Sequence, residues 1–413
     1  MKFDEIIIGG GLSGLVCGIQ LAKANKKVAV VAAGQSTLHF NSGSLDLLGN
    51  TADGDVKNPL QELAKLDAKH PYQKVGAEKV EALAEVAKAI LLEAGLKVQG
   101  EASCNQYRLT PMGILKPTWL TLDDYFTVTD KDDLKGKKVL VANIAGMMDF
   151  PQEFVVVGLK KLEADCVAET LVIPALKERR QSPSEMRSTN VAKVLQAEDS
   201  IDLMAQKLNE MSGDADLILL PAIFDLADGD LLETLRSKVS KPIFVVATLP
   251  PSVPGMRMQT LLRRYFTQLG GTFLMSDKVV GGEWENGKLK SVETSNLPDE
   301  KLYAEQFVLA TGSFQSEGLQ SNYESVYEPI FNFDVDAAEG RPNWINQDVY
   351  AAQPYMEFGV RTNSALQVLK DGQVVENVYA VGSVLSGHNP IKMADAQGVS
   401  MITALAVANT IIK

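Results

Sequence analysis

Cysteine is scarce. Only Cys17, Cys104 and Cys166 occur in 413 residues, far apart and with no CxxC pair. That spacing excludes an iron–sulfur cluster or a structural zinc site held by this chain alone. A sparse, odd count also offers no disulfide framework and fits a reducing cytoplasm. Long hydrophobic runs are missing too. No stretch approaches the roughly 18 consecutive apolar residues of a spanning helix. The apolar Ile6–Ile8 leads straight into glycines, unlike a signal peptide. Positive charge is in deficit, with 40 Lys and Arg against 52 Asp and Glu, a net charge of −12. Such a chain repels nucleic acid and anionic lipid, and an anionic small substrate needs a local basic cluster. No internal repeat or low-complexity segment interrupts the pattern. What remains is an ordinary globular composition, 46% apolar and 22% charged, long enough for two domains.

The first thirty residues read as a βαβ unit: strand 3–8, helix from Leu12 to Ala24, strand from Lys27 to Val31. A helix is expected over 79–95, ending at Gly95. Strands follow at 137–146, 216–224 and 241–249, with a helix from Pro151 to about Ala164. The polar stretch 181–190 reads as an exposed linker. A helix over 260–271 stops at two glycines, and Asn286-Gly287 marks a hairpin. Strands at 307–314 and 377–384 and a helix from about Gly398 close the chain.

Chemistry enters at Gly9-Gly10-Gly11-Leu12-Ser13-Gly14, which fits G-x-G-x-x-G between a strand and a helix. Gly9 permits the tight turn, Gly11 lets a phosphate approach the backbone, and Gly14 lets helix and strand pack. Unsatisfied N–H groups at the helix start then hold the phosphate, with Ser13 beside them. One residue departs from the pattern. The second strand of a dinucleotide fold ends in Asp or Glu to bind the adenosine ribose; here it ends in Ala32. A mononucleotide flavin needs no such acid, so FMN is expected, with FAD the alternative. The distant half of the signal is Val308-Leu309-Ala310-Thr311-Gly312 and the strand running into Gly382 and Ser383. In the two-dinucleotide flavoprotein fold these strand ends and the helix from Gly398 surround the isoalloxazine, and a helix N-terminus there stabilises a reduced, anionic flavin. Ser383 stands where an acid is usual. Ser42, Gly43 and Ser44 occupy the stretch that runs along the flavin ring. His39 lies in it and is a candidate for covalent attachment by position, or for a non-covalent contact.

Substrate chemistry is thinly encoded. His388, in Ser386-Gly387-His388-Asn389-Pro390, is a candidate base for an alcohol proton, or a solvated loop histidine. Arg257, after Pro250-Pro251-Ser252-Val253-Pro254, and Arg361 are candidate holders of a phosphate or carboxylate, or partners in structural salt bridges.

Six stretches carry a resemblance: FDEIIIGGGLSGLVCGIQLA at the start, GQSTLHFNSGSLDLLG (34–49), IAGMMDF (144–150), TLPPSVPGMRMQ (248–259), VLATGSF (308–314) and ENVYAVGSVLSGHNPI (376–391). Together they resemble the B subunits of anaerobic glycerol-3-phosphate dehydrogenases, over the whole chain. The resemblance implies a quinone-linked enzyme of three different chains. The A and B chains form a flavoprotein catalytic dimer, and an iron–sulfur C chain anchors it to the inner membrane. It implies FMN in the B chain and dihydroxyacetone phosphate as product, with the A chain the usual candidate for the alcohol oxidation and the B chain either oxidising substrate or relaying electrons.

The expected fold is therefore α/β, of the two-dinucleotide-binding flavoprotein type (Rossmann-like, G-x-G-x-x-G). Residues 1–45 with 270–413 form the flavin domain, and 46–269 an inserted second α/β domain. The expected function is oxidation of sn-glycerol 3-phosphate, with electrons passing through the iron–sulfur partner to menaquinone for anaerobic respiration on fumarate or nitrate. The location is cytoplasmic, peripheral to the inner membrane through a partner. No metal and no nucleic acid are expected on this chain. Two other readings stay open: a non-catalytic structural partner with a degenerate flavin site, and a stand-alone flavin oxidoreductase on another substrate.

Overall fold

A buried glutamate followed by three isoleucines, with no exposed face, opens the structure, a computed structural model that describes residues 1–197, 200–226 and 229–413. They form β1 (Glu5–Ile8), with Ile6 and Ile7 wholly buried. The chain turns through the glycines into α1 (Leu12–Lys23), which ends where Asn25 takes a left-handed φ of 62°. It returns as β2 (Val28–Ala32), buried throughout. The further elements that frame the site are α2 (Val80–Glu93), β3 (Lys138–Ile144), β4 (Asp165–Leu171), β5 (Leu217–Pro221), β6 (Ile243–Val246), α3 (Val253–Gln268), β7 (Thr272–Met275), β8 (Gln306–Leu309), β9 (Gln367–Lys370), β10 (Gln373–Ala380) and α4 (Ala396–Ile412).

The principal sheet has six strands in the order β7-β2-β1-β8-β10-β9. All neighbours are parallel except β9, which pairs antiparallel with β10 at the edge. Ile8 lies opposite Leu309, and Leu309 opposite Ala380. The carboxyl ends of β1, β8 and β10 therefore emerge at one level, although some 370 residues separate the first from the last. Ligands of open α/β sheets bind at such an edge. The fold is thus the expected α/β flavoprotein type. α4 packs against both α1 and α2, and its buried Val399, Met401, Ile402 and Leu405 make it a core helix. A second sheet, β4-β3-β5-β6, is parallel throughout and comes from the middle of the chain.

The hairpin at Asn286-Gly287 is present, both residues at positive φ (53° and 77°) between strands Val279–Glu285 and Lys288–Thr294. Three expectations need correcting. α3 begins at Val253, not near 260. Ser252 caps it by accepting from the Gly255 N–H (3.3 Å), and Pro254 sits in the first turn, where a missing N–H costs nothing. The proline run is thus the helix entrance, with the helix proper starting earlier than the apolar pattern at 260 shows. The stretch 181–190 is not simply an exposed linker: Met186 and Ser188 are buried, and Ser188 opens helix Ser188–Ala197. α4 begins at Ala396, two residues before Gly398.

Candidate functional site

Gly9 and Gly14 are glycines for internal reasons. Gly9 has φ +121°, and a Cβ there would meet Ala310 O at 2.2 Å; a Cβ on Gly14 would meet Gly9 O at 1.9 Å. These contacts let β8 and α1 close on the turn after β1. Gly11 differs. Its φ of −81° and ψ of −170° suit any residue, and the nearest atom to a Cβ would be Ser36 Cβ, at 3.7 Å. Nothing in the chain itself demands glycine there. The space beyond it is a cavity of about 1000 Å³ at the carboxyl edge of the principal sheet.

Both terminal segments line that cavity. Gly9, Gly11 and Ser13 come from the first turn, Thr311 and Gly312 from the end of β8, and Ser383 and His388 from beyond β10. Two helices start on it, and neither is capped by a side chain. α1 follows Gly11, and α4 follows Asp395; neither carries an acid in its first turn. Gly398 N–H donates to Asp46 O, while Ala396 and Gln397 line the cavity. Open N–H groups at two helix starts present donors and positive potential to one space. Thr311 Oγ1 is buried there without a partner.

His388 is no solvated loop residue: it is 2% exposed. Its Nδ1 lies 3.1 Å from Asp395 Oδ1, and the other oxygen lies 2.9 Å from His70 Nε2. Burial pushes the Asp395 carboxyl up, but the charge and hydrogen bond of His388, then those of His70, outweigh it and hold the group well below the usual carboxylate range. Sequence reasoning missed both His70 and Asp395. The signal available was slight: a histidine before Pro71, and an acid before a helix.

Other candidates fall behind the lining or away from it. Gly382 has φ +76°, donates its N–H to Thr403 Oγ1 (2.9 Å) and packs on Ser13. Gly398 leaves room for Tyr72 and Leu47. Ala32 is buried against Gly10. Ser42, Gly43 and Ser44 do not line the cavity. Ser42 and Ser44 bond each other (2.7 Å), Gly43 O accepts from Leu122 N–H, and Ser44 starts a strand against Thr121. Their predecessors Phe40 and Asn41 take the lining positions. The His39 ring is not in the lining either. Burial first, then the Arg263 charge, lower its pKa. Arg257 lies 4.0 Å from Asp124 in a second cavity of about 340 Å³ that, among the described residues, shares no lining residue with the first. Arg361 is spent on Asp336 at 2.6 Å on the surface. The structure therefore does not bring either arginine to His388.

Residues 4–399 match the family model described as an FAD binding domain. Over the full chain the protein is 42% identical to the B subunit of the anaerobic glycerol-3-phosphate dehydrogenase of Yersinia enterocolitica, covering 98% of that protein. It is 38% identical to the corresponding B subunit of Pectobacterium atrosepticum, covering 99% of it. The chain belongs to the B-subunit family of anaerobic glycerol-3-phosphate dehydrogenases. Among solved structures it is similar to 3-ketosteroid delta1-dehydrogenase of Sterolibacterium denitrificans (10% identity, all of this chain and 99% of that one, TM-score 0.44). As a member of the B-subunit family, the chain is a flavoprotein of the oxidoreductase class. The cavity fits a flavin. Gly11 leaves a cradle that a side chain would fill, two uncapped helix starts suit a phosphate and an electron-rich ring, and Thr311 has a hydroxyl without a partner. Among the described residues, no helix is long and apolar enough to cross a membrane.

Proposed function

We propose that the chain is the flavin-holding B subunit of a quinone-linked enzyme that oxidises sn-glycerol 3-phosphate to dihydroxyacetone phosphate. In this reading it pairs with a second flavoprotein, the A chain of the enzyme. A third, iron–sulfur chain takes the electrons to menaquinone, for respiration on fumarate or nitrate, and ties the pair to the cytoplasmic face of the inner membrane. The three dispersed cysteines support the need for that third chain. Residues 1–45 with 270–413 act as the flavin-holding unit, and 46–269 as the part that covers it or meets the partner.

One observation carries the reading: Gly11 is glycine without an internal reason, at the mouth of a helix that opens on a cavity. The flavin is taken as FMN. Ala32 is apolar and buried, and Asp277, the acid that lines the cavity beside that strand end, already accepts from Ser295 Oγ and Asn296 N–H. FAD is the alternative, supported by the description of the family model. A bound flavin supplies the acceptor for the hydride of the carbinol carbon. The chain's own part is to hold that group and to take the hydroxyl proton at His388. Among the described residues of the lining, Lys278 is the sole Lys or Arg, and it pairs with Glu317 at 3.1 Å. A phosphate dianion thus finds little charge in this cavity alone, which supports activity only in the assembled complex. The test is glycerol 3-phosphate-dependent dye reduction by the complex and by the isolated chain, with the cofactor extracted and weighed. Flavin in the chain and turnover in the complex are expected. A colourless chain, or full turnover by the chain alone, overturns the proposal.

A further inference from the structure

An ionised carboxylate between two buried, neutral histidines has one consistent set of protons. His70 caps the short helix Pro71–Val75, and its Nδ1 accepts the Tyr72 N–H at 3.1 Å. An accepting nitrogen carries no proton, so the proton of neutral His70 is on Nε2 and donates to Asp395 Oδ2 at 2.9 Å. Asp395 is buried with one ring nitrogen at hydrogen-bond distance from each oxygen, the surroundings of an ionised carboxylate, which can only accept. Its remaining oxygen, Oδ1, faces His388 Nδ1 at 3.1 Å, which must therefore be N–H. Neutral His388, a residue that lines the cavity, is left with a bare Nε2. Asp395 is also the N-cap residue of α4, yet its side chain does not cap the helix. The carboxylate is committed to the histidines. The trio does not form a metal site: among the described residues no group of His, Cys, Asp and Glu is arranged to hold an ion.

We infer that His70 and Asp395 are positioning residues that lock His388 in the tautomer whose Nε2 accepts the substrate proton. The inference rests on the proposed alcohol oxidation at this cavity. When that hydroxyl loses its proton, the proton goes to Nε2, and the Asp395 carboxylate behind the ring balances the new charge. His70 has a definite part in this. Without its N–H, Oδ2 of a buried carboxylate has no donor, and the carboxyl then takes up a proton instead. A protonated Asp395 donates to His388 Nδ1 and turns the ring to the opposite tautomer, with Nε2 blocked.

The chain has only His39, His70 and His388, so each imidazole is assignable by single substitution in 15N-histidine-labelled full-length protein. In its neutral form, His388 is expected to show a protonated Nδ1 and a bare Nε2. Asp395→Asn and His70→Leu should shift it to the other tautomer or to an average. In the assembled enzyme both should slow flavin reduction by glycerol 3-phosphate roughly a hundredfold or more, the usual worth of a general base, with flavin content kept. A neutral His388 protonated at Nε2 in the unmodified protein overturns the inference. So does an unchanged tautomer in Asp395→Asn. If His70→Leu does not fold, the unmodified protein and Asp395→Asn decide alone. His388→Gln separates the two claims. Undiminished flavin reduction in that variant removes the base reading, whereas loss of it beside unaltered rate and tautomer in Asp395→Asn removes only the lock.

Discussion

Gly11→Val puts a side chain where the structure has only space. The substitution keeps an extended backbone (φ −81°, ψ −170°), and its Cβ comes no nearer than 3.7 Å to another atom. The fold therefore loses little: valine is a poorer N-cap than glycine, which costs about 1 kcal/mol. A ligand phosphate loses much more. It reaches the α1 amides only across the face of residue 11, and charge-assisted hydrogen bonds contribute about 1.5–3 kcal/mol each. Losing two of them amounts to roughly 3–6 kcal/mol, or about a hundredfold to ten-thousandfold in affinity. Flavin absorbance per chain after denaturation, read beside the melting curve, measures both effects. The expected result is a folded, colourless protein. A variant that melts almost as the parent does and keeps its full flavin load refutes the placement of the phosphate at this helix start.

Gly14→Val is the contrasting case. Its Cβ would meet Gly9 O at 1.9 Å, so flavin and fold should be lost together, seen as aggregation or a lowered melting point. Cofactor mass tests the clue at Ala32: FMN on extraction supports it, FAD shows that other contacts replace the ribose acid, and flavin that stays on the polypeptide reopens the case for His39. Glu5 gives a pH signature. Burial, opposed by Lys26 at 3.6 Å, raises its pKa from 4.5 to about 7. The folded state then holds a proton that the unfolded chain has released. Its contribution to stability is complete below about pH 4.5, is lost as pH rises through 7, and is flat beyond, about 3 kcal/mol in all. Glu5→Gln should remove that slope between about pH 4.5 and about pH 7 in urea midpoints; an unchanged slope counts against the assignment. Finally, glycerol 3-phosphate should bind the isolated chain far more weakly than the complex by calorimetry. Equal affinities would mean that the cavity holds the phosphate after all.

Most of the principal sheet was legible because its strands are runs such as Ile6–Ile8 and Phe307–Leu309, buried on both faces, where periodicity and burial agree. The glycines were legible because their spacing is local. β4 was not: Asp165 to Leu171 alternates polar and apolar residues weakly and is half exposed. The prolines marked the entrance of α3, but its opening residues, 253–259, carry no regular apolar spacing, so the pattern alone put the helix near 260. At the site, the residues that touch the cavity through sequence neighbours were found, and those that act across the fold were not. Asp395 and His70 are 325 residues apart, and no pattern in the chain announces that they meet. Arg257 and Arg361 stood near promising turns, but which face of a helix or strand receives them depends on packing that local sequence does not contain.

The two helices that begin on the cavity share a consequence for the empty protein. Of the two, α1 has no capping side chain, and the acid best placed to serve α4 is engaged with His388 and His70. A guest thus finishes the hydrogen bonding of both ends of the polypeptide at once, as a keystone does for an arch. The vacant chain should be the softer one, with amide exchange at Leu12–Gly14 and Ala396–Gln397 slowing, and the melting point climbing, as flavin is titrated in.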